Sequence, residues 1–362
     1  MFGIIFVFLL IDLRILSLDL KDKLSIGCAM IVRNAEKTIE RAIRSVIPIC
    51  RQIVVVDTGS FDSTPSIASR LGAEVHFFEW INDFSAARNY SLKFLRTDWA
   101  IILDSDEELV ADSIYNDISL FDIKNLGGIR LTLRNFLSSG NSGFNSEEKE
   151  DVSITEHKYT RIIRHKSFDG YFLNFQFRGK IHEQISDSIQ NKGFEIFDSN
   201  IIINHYGYFE KNTEKIKRNL ELIQSELDNQ PEDIWLKFHL AETYFTAGNI
   251  NEAEELFLSL FENYHQNPNN YPIEHYEMVR LRLSQIELQR NNFVRAEEFL
   301  DFVSNDTNRE GLRLYILTVI NLLNRNFEKA KEFFKNPDLQ NSTMITKKQL
   351  GDIKIVINEI NK

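Results

Sequence analysis

Residues 104–108 read Asp-Ser-Asp-Glu-Glu and directly follow a run of apolar residues. Carboxylates this close repel one another, so they require solvent or a cation. Mg²⁺ and Mn²⁺ are typically held by one or two carboxylates together with substrate phosphates. We therefore predict a divalent metal site with Asp104 and Asp106 as ligands, Asp106 being better placed. The same residues also fit an acidic helix N-terminus, and Glu107 and Glu108 are interpreted as charges at a helix start.

A second polar segment, residues 57–64 (Asp-Thr-Gly-Ser-Phe-Asp-Ser-Thr), follows another apolar run. A carboxylate at the end of a buried strand can accept hydrogen bonds from a nucleobase edge or a ribose, and we predict this role for Asp57. Gly59 permits a tight turn, and Asp62 or Ser63 would cap the next helix. An ordinary strand-turn-helix explains everything in the segment except Asp57.

A third segment, residues 82–89 (Asn-Asp-Phe-Ser-Ala-Ala-Arg-Asn), has the pattern of a capped helix. Asp83 is its predicted N-cap. Arg88 and Asn89 lie about one turn inside, close enough to address a diphosphate. As an isolated helix, the segment would be unremarkable.

The elements that position these segments alternate between residues 24 and 112. The predicted strands are residues 25–32, 53–56, 74–78 and 99–103, and the predicted helices are residues 36–45, 63–71 and 85–94. Strands that are apolar on both faces and separated by helices indicate a parallel sheet covered on both sides. Ligands bind such sheets at the carboxyl ends of the strands, where Arg33, Asn34, Asp57 and residues 104–106 fall.

From Gly127 to about Tyr208 the pattern of the sequence changes. Residues 129–136, 159–164 and 201–203 are predicted strands, and residues 140–153, which are glycine-containing and acidic, are predicted to be a flexible loop. Such a loop would be able to close over a bound substrate.

Beyond residue 212 the sequence is helical, with a repeat of the tetratricopeptide kind. Small and large residues recur at matching offsets: Leu240, Ala241, Tyr244, Gly248, Ala253, Phe257 and Leu260, then Leu283, Ser284, Ala296, Leu300 and Val303, then Leu317, Thr318, Ala330 and Phe334. The small residues permit two helices to approach closely. The repeats are expected to bind a protein partner or to act only as a stabilising cap.

The composition of the chain limits which partners and which cellular location are expected. The formal net charge of -11 over 362 residues argues against nucleic acid as a partner, because phosphate-backbone binding needs a basic face. Two cysteines, Cys28 and Cys50, show no metal-binding spacing and indicate a reduced, cytoplasmic protein. Residues 2–11 are an apolar run without a basic start or a cleavage site, too short to span a bilayer. They are interpreted either as a peripheral or packing segment, which if peripheral would lie at the inner face of the cell membrane, or as a translation-start extension that belongs to no domain.

Four segments in this order resemble the GT-A-fold family 2 glycosyltransferases: residues 30–34 (Met-Ile-Val-Arg-Asn), 57–64, 83–89 and 104–107. They are most similar to a bacterial branch that includes lipopolysaccharide-core glucosyltransferase-like proteins and sublancin-type peptide S-glycosyltransferases, in which tetratricopeptide-like tails are common. The resemblance implies an α/β fold with a mostly parallel, Rossmann-like GT-A sheet, followed by an all-α helical repeat. The expected domains are residues 24–210, with a nucleotide-sugar-binding half (24–112) and an acceptor half (113–210), and residues 211–362. Residues 1–23 are left unassigned.

The resemblance also implies roles for individual residues. The nucleotide-sugar would be held by Ala29, Met30, Val32, Arg33, Asn34, Asp57, Asp83, Arg88, Asn89 and Asp104. Asp104 would contact ribose or metal, and Asp106 would bind the Mg²⁺ or Mn²⁺ that bridges the diphosphate.

The acceptor side falls on residues 178–183 (Arg-Gly-Lys-Ile-His-Glu), which are similar to a Gly-x-Val-His-Glu element of the branch. An alcohol or thiol acceptor must lose a proton, so a base is required nearby. Glu183 or His182 fits that role, although both also fit a purely structural pair. His205 matches a histidine-containing segment of the branch. It would complete the metal or phosphate shell, or be a buried, hydrogen-bonded histidine.

The implied enzyme is an inverting, hexosyltransferase-type enzyme that uses a UDP-linked donor and a glycan or lipid-linked acceptor in cell-envelope glycan synthesis. A peptide acceptor gripped by the repeats is the alternative. A non-catalytic scaffold is the alternative from another class. A nucleotidyltransferase is disfavoured because a Gly-rich loop is missing after the first strand, where residues 33–36 read Arg-Asn-Ala-Glu.

Overall fold

The computed structural model describes residues 24–138, 152–206, 213–268 and 272–360. The apolar N-terminal run and most of the predicted loop 140–153 lie outside these ranges. Val152 and Ser153, at the end of that predicted loop, belong to a strand instead. The chain divides into two compact units, Met1–Phe136 with Glu156–Phe209 and Leu137–Thr155 with Glu210–Lys362. The domain boundaries given above stay a prediction.

The first unit is built on a sheet that has eight strands in the described residues. They are β1 (Ile26–Val32), β2 (Gln52–Asp57), β3 (Glu74–Phe77), β4 (Trp99–Ile102), β5 (Glu107–Leu109), β6 (Leu126–Ser138), β7 (Val152–Arg164) and β8 (Glu195–His205). Their order across the sheet is β3-β2-β1-β4-β7-β6-β8-β5. β1 pairs in parallel with β2 and β4, as do β2 with β3 and β6 with β8. β4 with β7 and β5 with β8 are antiparallel. The predicted mostly parallel α/β sheet of the GT-A type is confirmed.

Helices cover both faces of this sheet: α1 (Ile39–Val46), α2 (Thr64–Arg70), α3 (Phe84–Leu92) and α4 (Ser186–Gln190), with a 3₁₀ segment at Ala111–Asp122. Successive side chains of β1 alternate between two cores because strand side chains point to opposite faces. Cys28 and Met30 pack in one core with Ile39 of α1. Ala29 packs in the other with Leu92 of α3. Two covered faces explain why the strands are continuously apolar.

The acidic residues after β4 do not begin a helix. Residues 107–109 form β5, so the interpretation of Glu107 and Glu108 as helix-start charges is wrong. Their strand pairs with β8, with Glu107 opposite His205. Glu107 is 1% exposed, and Glu108 accepts a hydrogen bond from the Tyr206 hydroxyl at 3.0 Å.

The second unit is helical: α5 (Thr213–Leu227), α6 (Ile234–Ala247), α7 (Ile250–Gln266), α8 (Ile273–Gln289), α9 (Phe293–Phe299), α10 (Thr307–Leu323), α11 (Phe327–Phe334), α12 (Pro337–Asn341) and α13 (Lys347–Ile360). Consecutive helices pack in pairs, α6 with α7, α8 with α9 and α10 with α11. No helix in the described ranges is both long and apolar enough to cross a bilayer.

The small residues of the predicted repeat are fully buried in these pairs: Ala241, Ala253, Ser284, Ala296, Thr318 and Ala330. The Ser284 hydroxyl donates to the Ala296 carbonyl across its pair at 2.9 Å, which requires the close approach that small side chains allow. Val303 is different. It is 75% exposed, because the chain leaves the helix at Leu300 and Val303 lies in the connection to α10. The prediction of an apolar repeat position there is wrong.

Gly311 of α10 has no room for a side chain. An added Cβ would lie 2.4 Å from the Asp338 carbonyl oxygen and 2.4 Å from the Ser342 Cβ. We expect Gly311→Ala to destabilise the second unit by about 1–3 kcal/mol, because backbone must move to relieve the overlap. Gly351 of α13 has nothing within 4 Å of such a Cβ. Gly351→Ala is therefore the matched control, with an expected gain of about 0.5–1 kcal/mol. Urea unfolding followed by circular dichroism compares the two variants, and equal effects would contradict the close packing.

Candidate active site

The acidic segment forms a tight turn that joins β4 to β5. The backbone N–H of Glu107 donates to the Asp104 carbonyl at 3.1 Å, and that of Tyr206 donates to the Asp106 carbonyl at 3.1 Å. Because β5 pairs with the end of β8, this turn brings Asp106 beside His205. Asp106 Oδ2 lies 3.4 Å from His205 Nε2.

A second contact orients His205. Its Nδ1 lies 2.8 Å from Asn135 Oδ1 of β6. When Nδ1 donates to this carboxamide oxygen, Nε2 donates to Asp106 in the protonated ring and offers its lone pair to a cation in the neutral ring. Metal-binding histidines are commonly held in this way through their other nitrogen. Burial lowers the pKa of His205, but the hydrogen bond and charge of Asp106 raise it more, so the net shift is upward.

Asp106 and His205 fit two neighbouring ligands of a divalent cation. Ligands about 2.1 Å from a six-coordinate ion lie about 3 Å apart, close to the observed separation of 3.4 Å. The Asp106 side chain is 28% exposed, which leaves room for ligands from a substrate. Within the described ranges, no cluster of three or more His, Cys, Asp or Glu side chains forms a ready metal site. Mg²⁺ in particular usually relies on substrate phosphates and water for its other ligands.

Asp104 faces two arginines. Arg88 Nη2 donates to Oδ1 at 2.9 Å, and Arg161 Nη2 donates to Oδ2 at 3.2 Å. Burial raises the pKa of Asp104, but the two guanidinium groups outweigh burial and hold the pKa well below its usual range. Both carboxylate oxygens of Asp104 are therefore engaged by protein donors, whereas Asp106 faces His205.

Arg161 of β7 also connects Asp104 to Glu107. It donates to Glu107 Oε1 at 3.1 Å, and Glu107 Oε2 accepts the backbone N–H of Asp104 at 2.8 Å. Burial raises the pKa of Glu107 to about 7, with Arg161 opposing the shift. Sequence reasoning missed Arg161 because a lone arginine in a strand carries no motif. Its only signal was a cation inside the predicted strand 159–164, a signal that Arg164 of the same strand shares.

Residues 178–184, which include the segment predicted to form the acceptor side, form a closed loop. Arg178 and Gln184 exchange two backbone hydrogen bonds of 2.9 Å each. Gly179 and His182 have positive φ angles of 94° and 52°, and the first of these favours glycine. The closed loop fixes the backbone of Glu183, which directly precedes the closing residue Gln184.

The same loop is attached to the start of α3. The Phe84 N–H donates to the Lys180 carbonyl at 2.9 Å, and the Ser85 hydroxyl donates to the Gly179 carbonyl at 2.6 Å. The predicted N-cap, Asp83, accepts the Ala86 N–H at 2.8 Å. The residues predicted to bind the diphosphate and the residues predicted to act as the acceptor base are therefore connected through these hydrogen bonds between α3 and the loop.

Arg88 of α3 links Glu183 to Asp104. Its Nε donates to Glu183 Oε1 while its Nη2 donates to Asp104. Burial lowers the pKa of Arg88, but Asp104 and Glu183 raise it further, to a value well above the ordinary one. For His182, burial lowers the pKa and the Glu183 charge opposes the shift.

The residues predicted to hold the nucleotide base lie within β1, directly after it and at the end of β2, and most of their side chains are turned inward. The side chains of Ala29, Met30 and Val32 are 1%, 0% and 3% exposed. The Ala29 and Val32 carbonyls accept the backbone N–H groups of Leu103 and Thr58, so they are already paired within the protein. Arg33 is exposed. Asn34, with a φ of 50°, accepts the Phe61 N–H at 2.8 Å and so joins the loops that follow the two strands.

The side chains of Asp57 and Asn89 form hydrogen bonds within the protein. Asp57 is 2% exposed and accepts hydrogen bonds from the Ser60 N–H at 3.1 Å and from the Ser60 hydroxyl. The Asn89 carboxamide donates to the Phe177 carbonyl at 2.9 Å and accepts its N–H at 2.8 Å. Asp57 therefore shapes the turn after β2, and Asn89 anchors the segment that precedes the loop 178–184.

Comparison with known proteins agrees with this arrangement. Residues 28–185 match the family model described as Glycosyl transferase family 2. The match covers less than half of the chain and shows a glycosyltransferase family 2 domain in residues 28–185.

Curated relatives extend further along the chain. A TPR repeat-containing protein of Synechococcus elongatus is 26% identical over 63% of this chain and 54% of its own length. The SPbeta prophage-derived glycosyltransferase SunS of Bacillus subtilis is 27% identical over 79% of this chain and 64% of its own. The chain thus spans less than two thirds of either relative. A crystal structure of S. aureus TarS aligns over 76% of this chain and 54% of its own, with 15% identity and a TM-score of 0.38.

Proposed function

We propose that this protein is an inverting glycosyltransferase that transfers a sugar from a UDP-linked donor to a hydroxyl or thiol of an acceptor. The observation that carries the proposal is the pairing of Asp106 with His205, 3.4 Å apart at the end of the sheet. The family supports sugar transfer, and the ionic chain from Asp104 through Arg88 to Glu183 supports a donor side and an acceptor side that adjoin.

Asp106 and His205 would hold the Mg²⁺ or Mn²⁺, and Asn135 would orient His205. The ion, when bound, supplies positive charge to the diphosphate as it leaves. Asp104, held by Arg88 and Arg161, is oriented to accept a hydrogen bond from the ribose. The backbone from Ala29 to Asn34, with the turn shaped by Asp57, would border the nucleobase.

The proposed reaction is a single in-line displacement. The acceptor oxygen or sulfur forms a bond to the anomeric carbon as the bond from that carbon to the diphosphate oxygen breaks. The electron pair of the broken bond leaves with the nucleoside diphosphate, and the acceptor proton passes to a protein base. Attack from the face opposite the leaving group inverts the anomeric configuration. Glu183 is the proposed base because Arg88 positions its carboxylate in the site, with His182 beside it.

The proposed acceptor is a glycan or lipid-linked glycan of the cell envelope, as the resemblance implies. A polypeptide is the second candidate. It is favoured by the helical pairs of the second unit, since arrays of this kind form extended binding surfaces. In either role, the second unit would recruit the acceptor or a protein partner.

The donor is tested by measuring nucleotide release from a panel of UDP-, GDP- and CDP-sugars with and without Mn²⁺. We expect release from a UDP-sugar that depends on Mn²⁺ and is abolished by EDTA. Release should accelerate when the correct acceptor is added, so lipopolysaccharide fragments, lipid-linked glycans and cysteine-containing peptides are compared next. Metal-dependent release from no member of the panel would contradict the proposal and favour a non-catalytic scaffold.

A further inference from the structure

Arg88 joins the two sides of the site through a single buried side chain. It is 5% exposed, with Nε on Glu183 and Nη2 on Asp104. Its third nitrogen, Nη1, is buried and has no hydrogen-bond partner among the described residues. A buried donor without a partner is costly, so this nitrogen marks a place for an acceptor atom that the chain itself does not supply.

The position of Arg88 is constrained by the contacts of its helix and of Asp104. Arg88 therefore cannot easily bind a further anion while it stays bonded to both Glu183 and Asp104. Its helix is attached to the acceptor loop at Phe84 and Ser85, and Arg161 holds the other oxygen of Asp104. Glu183 is the partner whose carboxylate stands at the end of a single ion pair in the network. It is therefore the partner that an incoming anion can displace at least cost.

A nucleoside diphosphate is an anion of the right kind. Phosphate oxygens bind guanidinium groups in pairs of parallel hydrogen bonds, and a diphosphate next to Asp104 would supply the acceptor that Nη1 lacks among the described residues. Pairing two nitrogens of Arg88 with phosphate oxygens requires a rotation of the guanidinium, which weakens the bond from Nε to Glu183.

We propose that Arg88 is a positioning residue that holds Glu183 until the donor binds, so that the diphosphate and Glu183 compete for one guanidinium. The inference rests on the proposed function and adds an order of events to it. Donor binding loosens the base, which then receives the acceptor proton. Binding linkage is reciprocal, so removing the Glu183 charge must strengthen nucleotide binding through Arg88.

The test is a double-mutant cycle on the Kd for UDP, measured by calorimetry with Mn²⁺ present. Glu183→Gln keeps the shape of the side chain and removes its charge. It is expected to bind UDP about fivefold tighter than the wild type. In an Arg88→Gln background, which binds UDP more weakly, adding Glu183→Gln should change the Kd by less than about twofold. Asp187→Asn removes an exposed carboxylate of α4 and is the control for charge alone, also with less than a twofold effect.

The outcomes separate the inference from its premise. Equal tightening in both backgrounds would show a through-space charge effect and overturn the competition, as would an unchanged Kd for Glu183→Gln. A wild type that binds no UDP with Mn²⁺ would overturn the proposed donor and the inference together. Melting curves of all variants establish folding, and Arg88→Met replaces Arg88→Gln if the latter does not fold.

Discussion

Asp106→Asn is expected to lower Mn²⁺-dependent nucleotide release by about 10²–10³-fold, a loss typical of removing one electrostatic contact to the departing charge. The variant keeps the size of the side chain, and the Asp106 backbone remains paired with Tyr206, so the turn should persist. The affinity for Mn²⁺, titrated by electron paramagnetic resonance, should fall in parallel. Metal affinity and turnover are measured on the same preparation.

His205 and Asn135 extend this prediction. His205→Ala should weaken Mn²⁺ binding strongly, and Asn135→Ala should weaken it by about 10–100-fold, the usual effect of losing a group that orients a metal ligand. Asp112→Asn, at an exposed carboxylate of the 3₁₀ segment, is the matched control and should leave turnover unchanged. Full turnover of Asp106→Asn would remove the proposed metal site.

Much of the sheet was predictable because its information is local. β1 and β2 are apolar on both faces, and each has a helix after it, so period and length define them. β5 was not predictable. Its three residues include two glutamates, which are disfavoured in strands, and it exists because β8 offers a pairing edge. Glu107 was misread for the same reason: its burial depends on residues almost a hundred positions away.

The site also has a part that the sequence could predict and a part that it could not. Asp104, Asp106 and Arg88 stood in motifs that a single sequence displays. The contact of Asp106 with His205, however, requires the β5–β8 pairing, and that of Arg88 with Glu183 requires the loop attached to α3. Arg161 had no motif at all. Residue types at strand ends thus predict which groups take part, while pairing across the sheet decides which of them touch.

Arg161→Met is expected to destabilise the first unit by about 3–5 kcal/mol at pH 8, the usual effect of removing one partner from a buried ionic network. Arg161 is 16% exposed, and its partner Glu107 is 1% exposed, so the Glu107 carboxylate gains little from water when Arg161 is removed. Urea unfolding is followed by the fluorescence of Trp99, which is 2% exposed in the core of this unit. Trp80→Phe and Trp235→Phe in all variants isolate its signal.

The dependence on pH identifies Glu107 as the cause. Its folded pKa is about 7 against an ordinary value of 4.5, so between these values the folded chain holds a proton that the unfolded chain releases. Stability from this group therefore falls as pH rises from about 4.5 to 7. Arg161→Met should therefore lower the free energy of unfolding less at pH 5.5, where Glu107 is neutral, than at pH 8. At pH 8 Glu107 is charged and has lost the counter-ion that Arg161 supplied. Adding Glu107→Gln should recover most of the loss at pH 8.

A neighbouring pair supplies the control for charge removal as such. Arg130 of β6 binds Asp198 at 2.7 Å, and both side chains are 49% exposed. Arg130→Met should cost less than about 1 kcal/mol and show little pH dependence, because water screens exposed ion pairs. If Arg161→Met were as mild as Arg130→Met at pH 8, the network that holds Asp104 would not depend on the buried arginine. The orientation of Asp104 would then have to come from Arg88 alone.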